Sequence, residues 1–543
     1  MADQAVGRHR HHHCWLPAVR GRLPGPPAHT LESMIMDSIS GLLGGFAALA
    51  NPETLLYMVG GFLIGTFFGA VPGLTSVLAI ALLLPLTYSL DVTTALVACA
   101  SIFMAGMCSG SITATTINIP GAPSSMMTAL EGYPMQQRGE GAKALGHAAL
   151  GSMIGGSLGA LLLMVVAPLA ADVALLIRTP GKFSLIAFAL IVIIISQHGS
   201  ITKGMIATLL GVMIASVGID VVQPLARFTF GTSVLVQGID MMPLIIGTFA
   251  ISELLVQADS RSSRTVDPSL IQAAKVRRRD FIPPLSEVRE IGVMRYLKSA
   301  VIGYAVGILP GAGGSMAAFV SYAESMRSSK HPERYGKGNP EGIAAAECAN
   351  NSMCGGAFVP MLTFGIPGDP TTAIVLGVLV INGLQPGPQF MTQQLDLIAP
   401  MFASLFVSAL ILIPLTLYLL GPYFLKIVSI RRDVLYSSIA IVALVGSYVA
   451  TYSTFQMALA LVFGVLAYFL RKQKYPTVCL LLGFVLGPSL EEYCRRALSI
   501  SDGNPLVFLT SMDSLFFIAL TVVFFYFMVI RKPKNSGLGA PPG

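Results

Sequence analysis

The sequence predicts an all-α, polytopic membrane transporter fold of about 10–12 transmembrane helices in two repeated halves. Three observations lead there. Of the 543 residues, 54% are hydrophobic and only 11% are charged, less than half the charge that covers a soluble protein. Residues 54–90, 92–130, 397–425 and 434–470 contain no Asp, Glu, Lys or Arg, and each is long enough for one span plus a turn or a shorter second segment. The apolar runs are also interrupted by Pro-Gly steps that recur in order. Mean hydropathy is +0.73. An outer-membrane barrel is excluded, because its strands would alternate apolar and polar residues.

Residues 1–35 stand apart from the rest. They carry His9, His11, His12, His13 and His29, the only tryptophan (Trp15) and a Pro-rich stretch, with Met34 at their end. The expectation is a disordered or non-native extension from an upstream start, since no apolar signal core is present. The first span begins near Leu55.

The first transmembrane half, residues 36–257, contains two breaks. The run Phe68-Gly69-Ala70-Val71-Pro72-Gly73 leads into Leu74-Thr75-Ser76. Asn118-Ile119-Pro120-Gly121-Ala122-Pro123-Ser124-Ser125 follows a polar, small-residue run that includes Ser109, Ser111 and Thr113. Next comes a basic stretch, 258–298, with nine Lys and Arg between Arg261 and Lys298. It reads as a cytoplasmic loop joining the halves. Its charge, like the net +7 of the chain, needs no nucleic acid to explain it.

The second half, 299–530, repeats both breaks. Val306-Gly307-Ile308-Leu309-Pro310-Gly311 precedes Ala312-Gly313-Gly314-Ser315. Gly365-Ile366-Pro367-Gly368-Asp369-Pro370-Thr371-Thr372 follows Asn350-Asn351-Ser352 and Thr363. Pro72 and Pro310 are 238 positions apart, and Pro120 and Pro367 are 247 apart. Similar offsets in the same order argue for duplication. Residues 531–543 form a polar tail.

A Pro-Gly step ends or unwinds a helix, since proline lacks the N–H and clashes with the turn before it. In lipid the freed backbone groups cost several kcal/mol each, so breaks persist only where protein or a polar cavity satisfies them. Helix N-termini beyond a break suit carboxylates. Unwound carbonyls and hydroxyl or amide oxygens suit a cation such as Na⁺. An isolated kink or a single Ser or Thr bonded back to its own helix is ordinary structure; four paired breaks with polar neighbours are not. The candidate substrate- and ion-binding residues are therefore Thr75, Ser76, Ser109, Ser111, Thr113, Asn118, Pro120, Gly121, Ser124 and Ser125 in the first half. In the second they are Gly313, Gly314, Ser315, Asn350, Asn351, Ser352, Thr363, Gly365, Pro367, Gly368, Asp369, Thr371 and Thr372.

Four acids lie near the breaks: Glu131, Glu324, Glu347 and Asp369. Glu131 and Glu324 are expected at span ends beside Arg138 and Arg327. Asp369 is the candidate cation ligand, and Ala122 at the matching position makes that role asymmetric. The seven cysteines show no metal-ligand spacing, so neither a metal centre nor a cofactor beyond a transient Na⁺ is expected.

These residues resemble the large membrane subunit of the tripartite tricarboxylate transporters (TctA-type). The likeness lies in residues 72–86, 109–135, 309–326 and 350–388 and in the late run Gly483-Phe484-Val485-Leu486-Gly487-Pro488. It extends over roughly residues 36–530. Met107-Cys108-Ser109-Gly110 departs from it, where an aromatic residue and Gly-Gly are expected. The resemblance implies a multi-pass secondary transporter of the bacterial inner membrane, with re-entrant hairpins, that imports citrate or other carboxylates on a cation gradient. It further implies two partners, a small four-span membrane subunit and a periplasmic solute-binding protein.

A stand-alone carboxylate/cation symporter and an ion channel are the alternatives. A membrane hydrolase is disfavoured: the chain has no H-E-x-x-H or G-x-S-x-G, and His147, His198 and His331 are isolated.

Overall fold

The computed structural model describes residues 41, 43–87, 89–197, 200–220, 222–259, 277–427 and 432–530. The N-terminal extension, most of the inter-half loop, His198 and the tail lie outside the described residues. The first half runs α1 (Pro52–Ala70), α2 (Ser76–Thr87), α3 (Val92–Ile117), α4 (Met126–Gln137), α5 (Gly141–Leu175), α6 (Thr179–Ser196), α7 (Ile201–Ala215) and α8 (Met241–Asp259). A two-residue hairpin, β1 (Gly218–Ile219) antiparallel to β2 (Ala226–Arg227), stands between α7 and α8. The second half runs α9 (Val293–Ile308), α10 (Gly313–Ser328), α11 (Pro340–Phe364), α12 (Pro370–Ile381), α13 (Leu395–Phe424), α14 (Arg432–Thr451), α15 (Thr454–Lys472), α16 (Thr477–Ile500) and α17 (Met512–Ile530).

The fold is all-α and polytopic. Nine helices among the described residues are long and apolar enough to cross a membrane. Counting α9 with the helical stretch before it, which meets it at 94°, gives ten, the lower end of the expected range. The short apolar helices α2, α7 and α12 account for the wider estimate, because each is an apolar run cut below spanning length. In the most apolar window of α3, 94% of residues are buried; in that of α17, 6% are. The first helix is therefore wrapped by other helices, and the last presents its side chains to lipid.

Each half begins in the same way. In α1, Asn51 caps the N-terminus by accepting the Glu53 N–H at 2.9 Å, and Pro52 follows where a missing N–H is harmless. Gly61, Gly65 and Gly69 then recur at four-residue spacing and let α1 lie directly on α3. A Cβ on Gly65 would stand 2.5 Å from the Ile102 carbonyl oxygen. In the second half Gly303 meets Ala349 of α11, and Gly307 meets Met353. A shift of 238 carries Gly65 onto Gly303 and Gly69 onto Gly307, and a shift of 247 carries Ile102 onto Ala349. The duplication seen in the breaks is thus repeated in the packing.

The halves interlock. α5 packs along α11 through Gly151, Gly155 and Gly159, while α13 packs on α3. Likewise α2 lies against α12, and α10 lies against the short 3₁₀ turn Pro123–Ser125 that leads into α4.

Candidate functional site

Both middle helices stop at equivalent residues. α3 ends with Asn118 in the left-handed conformation (φ 55°), and α11 ends with Gly365 in the same conformation (φ 69°). One residue on, Ile119 N–H donates to Thr113 O at 3.3 Å and Ile366 N–H donates to Pro360 O at 3.1 Å, which satisfies carbonyls orphaned by the helix end. Gly121 then abuts the Gly69 carbonyl, and a Cβ on Gly368 would stand 2.6 Å from that of Gly307. In the second half Gly311 N–H also donates to Gly368 O at 3.0 Å. The Pro-Gly and Ile-Pro-Gly breaks of each half are therefore neighbours in space.

The halves meet where α3 and α11 cross. Asn351 Nδ2 donates to Met104 O at 3.2 Å, and Asn350 Nδ2 donates to Met107 O at 3.2 Å. Positions 104 and 351 are equivalent by the 247 shift, so contact between them places a pseudo-two-fold axis there. Two consecutive asparagines in an apolar helix are explained: each binds a backbone carbonyl of the other half.

Asp369 caps α12. Its Oδ1 accepts the Thr371 N–H at 2.8 Å, Thr372 Oγ1 donates to Asp369 O at 2.8 Å, and Asp369 N–H donates to Thr372 Oγ1 at 3.0 Å. Its Oδ2 lies 3.1 Å from where a Cβ on Gly313 would be, against the first turn of α10. The matching turn of the first half starts at Ala122 and has no side-chain cap.

Five predicted residues carry a buried oxygen with no partner within the protein: Thr113 Oγ1, Ser124 Oγ, Ser125 Oγ, Asn350 Oδ1 and Asn351 Oδ1. Leaving such a group unpaired costs about 1–3 kcal/mol. Asn350 Oδ1 faces Gly314 of α10. Ser125 Oγ lies beside Gly110.

The remaining predicted residues serve the framework. Thr75 Oγ1 accepts the Leu78 N–H at 3.3 Å at the start of α2, and Ser76 packs on Gly106. Ser109 donates to Gly65 O at 3.3 Å, Ser111 to Cys108 O at 2.6 Å, Ser352 to Ala300 O at 2.7 Å and Thr363 to Val359 O at 2.7 Å. The Asn118 side chain is exposed, Pro120 and Ser315 are half-buried, and Pro367 is buried.

Two acids do more than the sequence suggested. Glu131 does not pair with Arg138: it is buried, accepting from Tyr322 Oη at 2.7 Å and from the amides of Gly336, Gly338 and Asn339 at 2.7–2.8 Å. Arg138 instead donates to Lys337 O and Gly338 O, so the two residues clamp one loop from its two sides. Glu324 pairs with Arg327 at 2.8 Å, as expected, and also with Lys298. Glu347, absent from the predicted set, is fully buried on α11 next to the asparagine pair. Its signal was its place between two apolar runs.

A cavity of about 30 Å³ touches Ser109 and Ser111, and one of about 190 Å³ is bounded by Glu140, Lys143, Glu287, His331 and Arg334. Among the described residues no group of three His, Cys, Asp or Glu side chains is placed to hold a metal.

Residues 55–482 match the family described as Tripartite tricarboxylate transporter TctA family. The chain is 36% identical over 477 residues to an uncharacterized 52.8 kDa protein in the TAR-I ttuC' 3' region of Agrobacterium vitis, covering 88% of this chain and 93% of that protein. It is 39% identical over 209 residues to a protein in the TAR-II ttuC' 3' region of the same organism, covering 38% of this chain and 86% of that protein. No solved structure matches.

Proposed function

The chain belongs to the tripartite tricarboxylate transporter TctA family, and from that premise we propose that it is the large membrane subunit of a binding-protein-dependent importer of tricarboxylates or other carboxylates. It works in the bacterial inner membrane with a small four-span subunit and a periplasmic solute-binding protein, and a cation gradient drives uptake. It is a carrier and not an enzyme.

The observation that carries this reading is the asymmetry between Asp369 and Ala122. In the second half the protein's own carboxylate occupies the N-terminus of α12 and accepts from the Thr371 amide, while the Asp369 backbone carbonyl accepts from the Thr372 hydroxyl. The 247 shift carries these two residues onto Ser124 and Ser125. There the hydroxyls are buried and unpartnered, and a methyl group stands in place of the carboxylate. A substrate carboxylate at the Ala122–Ser125 turn would take the part that Asp369 plays in the other half, with the N-terminal amides supplying the positive end of the helix. No arginine is needed, in keeping with its absence from these motifs. Asp369, beside the first turn of α10, is the region suited to a co-transported Na⁺.

The experiment is uptake into proteoliposomes holding both membrane subunits. The reading expects saturable accumulation of citrate or a related carboxylate only when binding protein is added. Saturable uptake without it would instead mean a stand-alone symporter, and non-saturating flux a channel.

A further inference from the structure

Glu347 has surroundings that no step above uses. Thr128 Oγ1, from α4, donates to its Oε1, and Ser152 Oγ, from α5, donates to Oε2 at 3.3 Å. Cys108 of α3 and Asn350 of its own helix complete the ring. No Lys, Arg or His faces the carboxyl among the described residues. The nearby acids are directed elsewhere, Glu131 into the loop amides and Asp369 into α12. Cys108, beside Ser152, is the other titratable group that feels its charge.

A carboxylate cut off from water and from any counter-charge persists only by carrying a proton or by holding a cation. A cation needs a shell of oxygens presenting lone pairs. Here two hydroxyl protons and an amide nitrogen point at the carboxyl, which are donors and not ligands. The set suits a group that alternates between COOH and COO⁻. We infer that Glu347 is the proton-carrying residue of this transporter, binding one proton on a carboxyl oxygen and releasing it in each cycle; the inference rests on the importer reading above and adds a proton to the Na⁺ placed at Asp369.

The link to the breaks is Asn350. Its Nδ2 lies between the Glu347 carboxyl and Met107 O, and its Oδ1 faces Gly314 at the start of α10. An ionised Glu347 holds the amide through Nδ2, and a protonated one releases it, so proton occupancy is felt at the α10 turn. The first half has Ala100 at the position equivalent to Glu347, so this device belongs to one half only.

The test uses the complete complex with its binding protein in proteoliposomes, under an imposed pH gradient or an imposed Na⁺ gradient. Wild-type protein should accumulate carboxylate on the pH gradient. E347Q should lose that accumulation by roughly tenfold or more, while carboxylate counterflow, which needs no net proton movement, continues. Infrared spectra of the purified complex should contain a titrating carboxyl C=O band that E347Q removes. The inference is overturned by accumulation that follows the Na⁺ gradient alone, by pH-driven accumulation in E347Q, or by loss of counterflow and accumulation together in a normally assembled E347Q. If wild type ignores the binding protein, the importer reading fails instead, and the infrared band still decides whether Glu347 carries the proton.

Discussion

Asn351 and Met104 occupy the same position in the two repeats, and they touch: Asn351 Nδ2 lies 3.2 Å from Met104 O. Self-contact of equivalent positions is what a two-fold axis requires. It also concentrates the polar chemistry, since one member is a methionine that offers its backbone carbonyl and its sulfur and the other an amide that reads both. Asn351→Ala removes the donor and leaves the Met104 carbonyl with only its intrahelical bond, at a cost of about 0.5–1.5 kcal/mol. The packing of the other helices is untouched, so the protein should still insert and assemble by gel filtration. Uptake should be abolished; a variant that transports normally would remove the crossing from the site.

Ala122→Asp tests the asymmetry of the two turns. The new carboxylate can accept from the Ser124 amide as that of Asp369 accepts from the Thr371 amide. It should compete with the substrate's own carboxylate, raising the apparent KM for uptake by roughly tenfold or more, the loss expected when a charge-assisted hydrogen bond of about 1.5–3 kcal/mol is pre-empted. Thermal stability should hold or rise, because an aspartate N-cap is favourable. An unchanged KM would place the substrate elsewhere.

The breaks and the duplication were legible because Pro-Gly chemistry is local: the left-handed ends at Asn118 and Gly365 follow from the residues around them. The offsets of 238 and 247 relate the glycine–carbonyl contacts of one half to those of the other. The partition of the polar residues was not legible. Ser111 and Thr363 bond to their own helices while Ser124, Ser125 and Asn351 keep a free oxygen, and that depends on helix facing, which one sequence does not encode locally. Glu131 was misplaced for the same reason, since its partners at residues 336–339 come from the other half.

Gly65→Val and Gly303→Val should behave alike if the repeat governs packing. Each places a branched side chain against a carbonyl of the neighbouring middle helix, Ile102 O or Ala349 O. Overpacking of this kind costs about 1–3 kcal/mol, and each variant should melt at lower temperature than wild type in detergent. Comparable decreases are expected from the two, whereas Gly60→Ala, with open space around it, should leave the melting temperature unchanged.

The hairpin between α7 and α8 gives a prediction about pH. The Gln223 amide, the Arg495 guanidinium and the Val222 amide hold the Asp220 carboxyl well below the usual aspartate range. Arg495 and Arg227 also share Glu491, at 3.1 Å and 2.7 Å, which ties the hairpin to α16. A carboxyl whose folded pKa is depressed stabilises at every pH above its unfolded value, and that stabilisation is lost only as pH falls through the folded value. The unfolded value is about 3.9, so acidification from about pH 8 to about pH 5 should not loosen the hairpin. Limited proteolysis within 218–239 should proceed at the same slow rate across that range after correction for protease activity. Asp220→Asn removes the charge that both arginines share, and cleavage should then be faster at every pH. A wild-type hairpin that opens between pH 7 and pH 5 would show that a group other than Asp220 holds it.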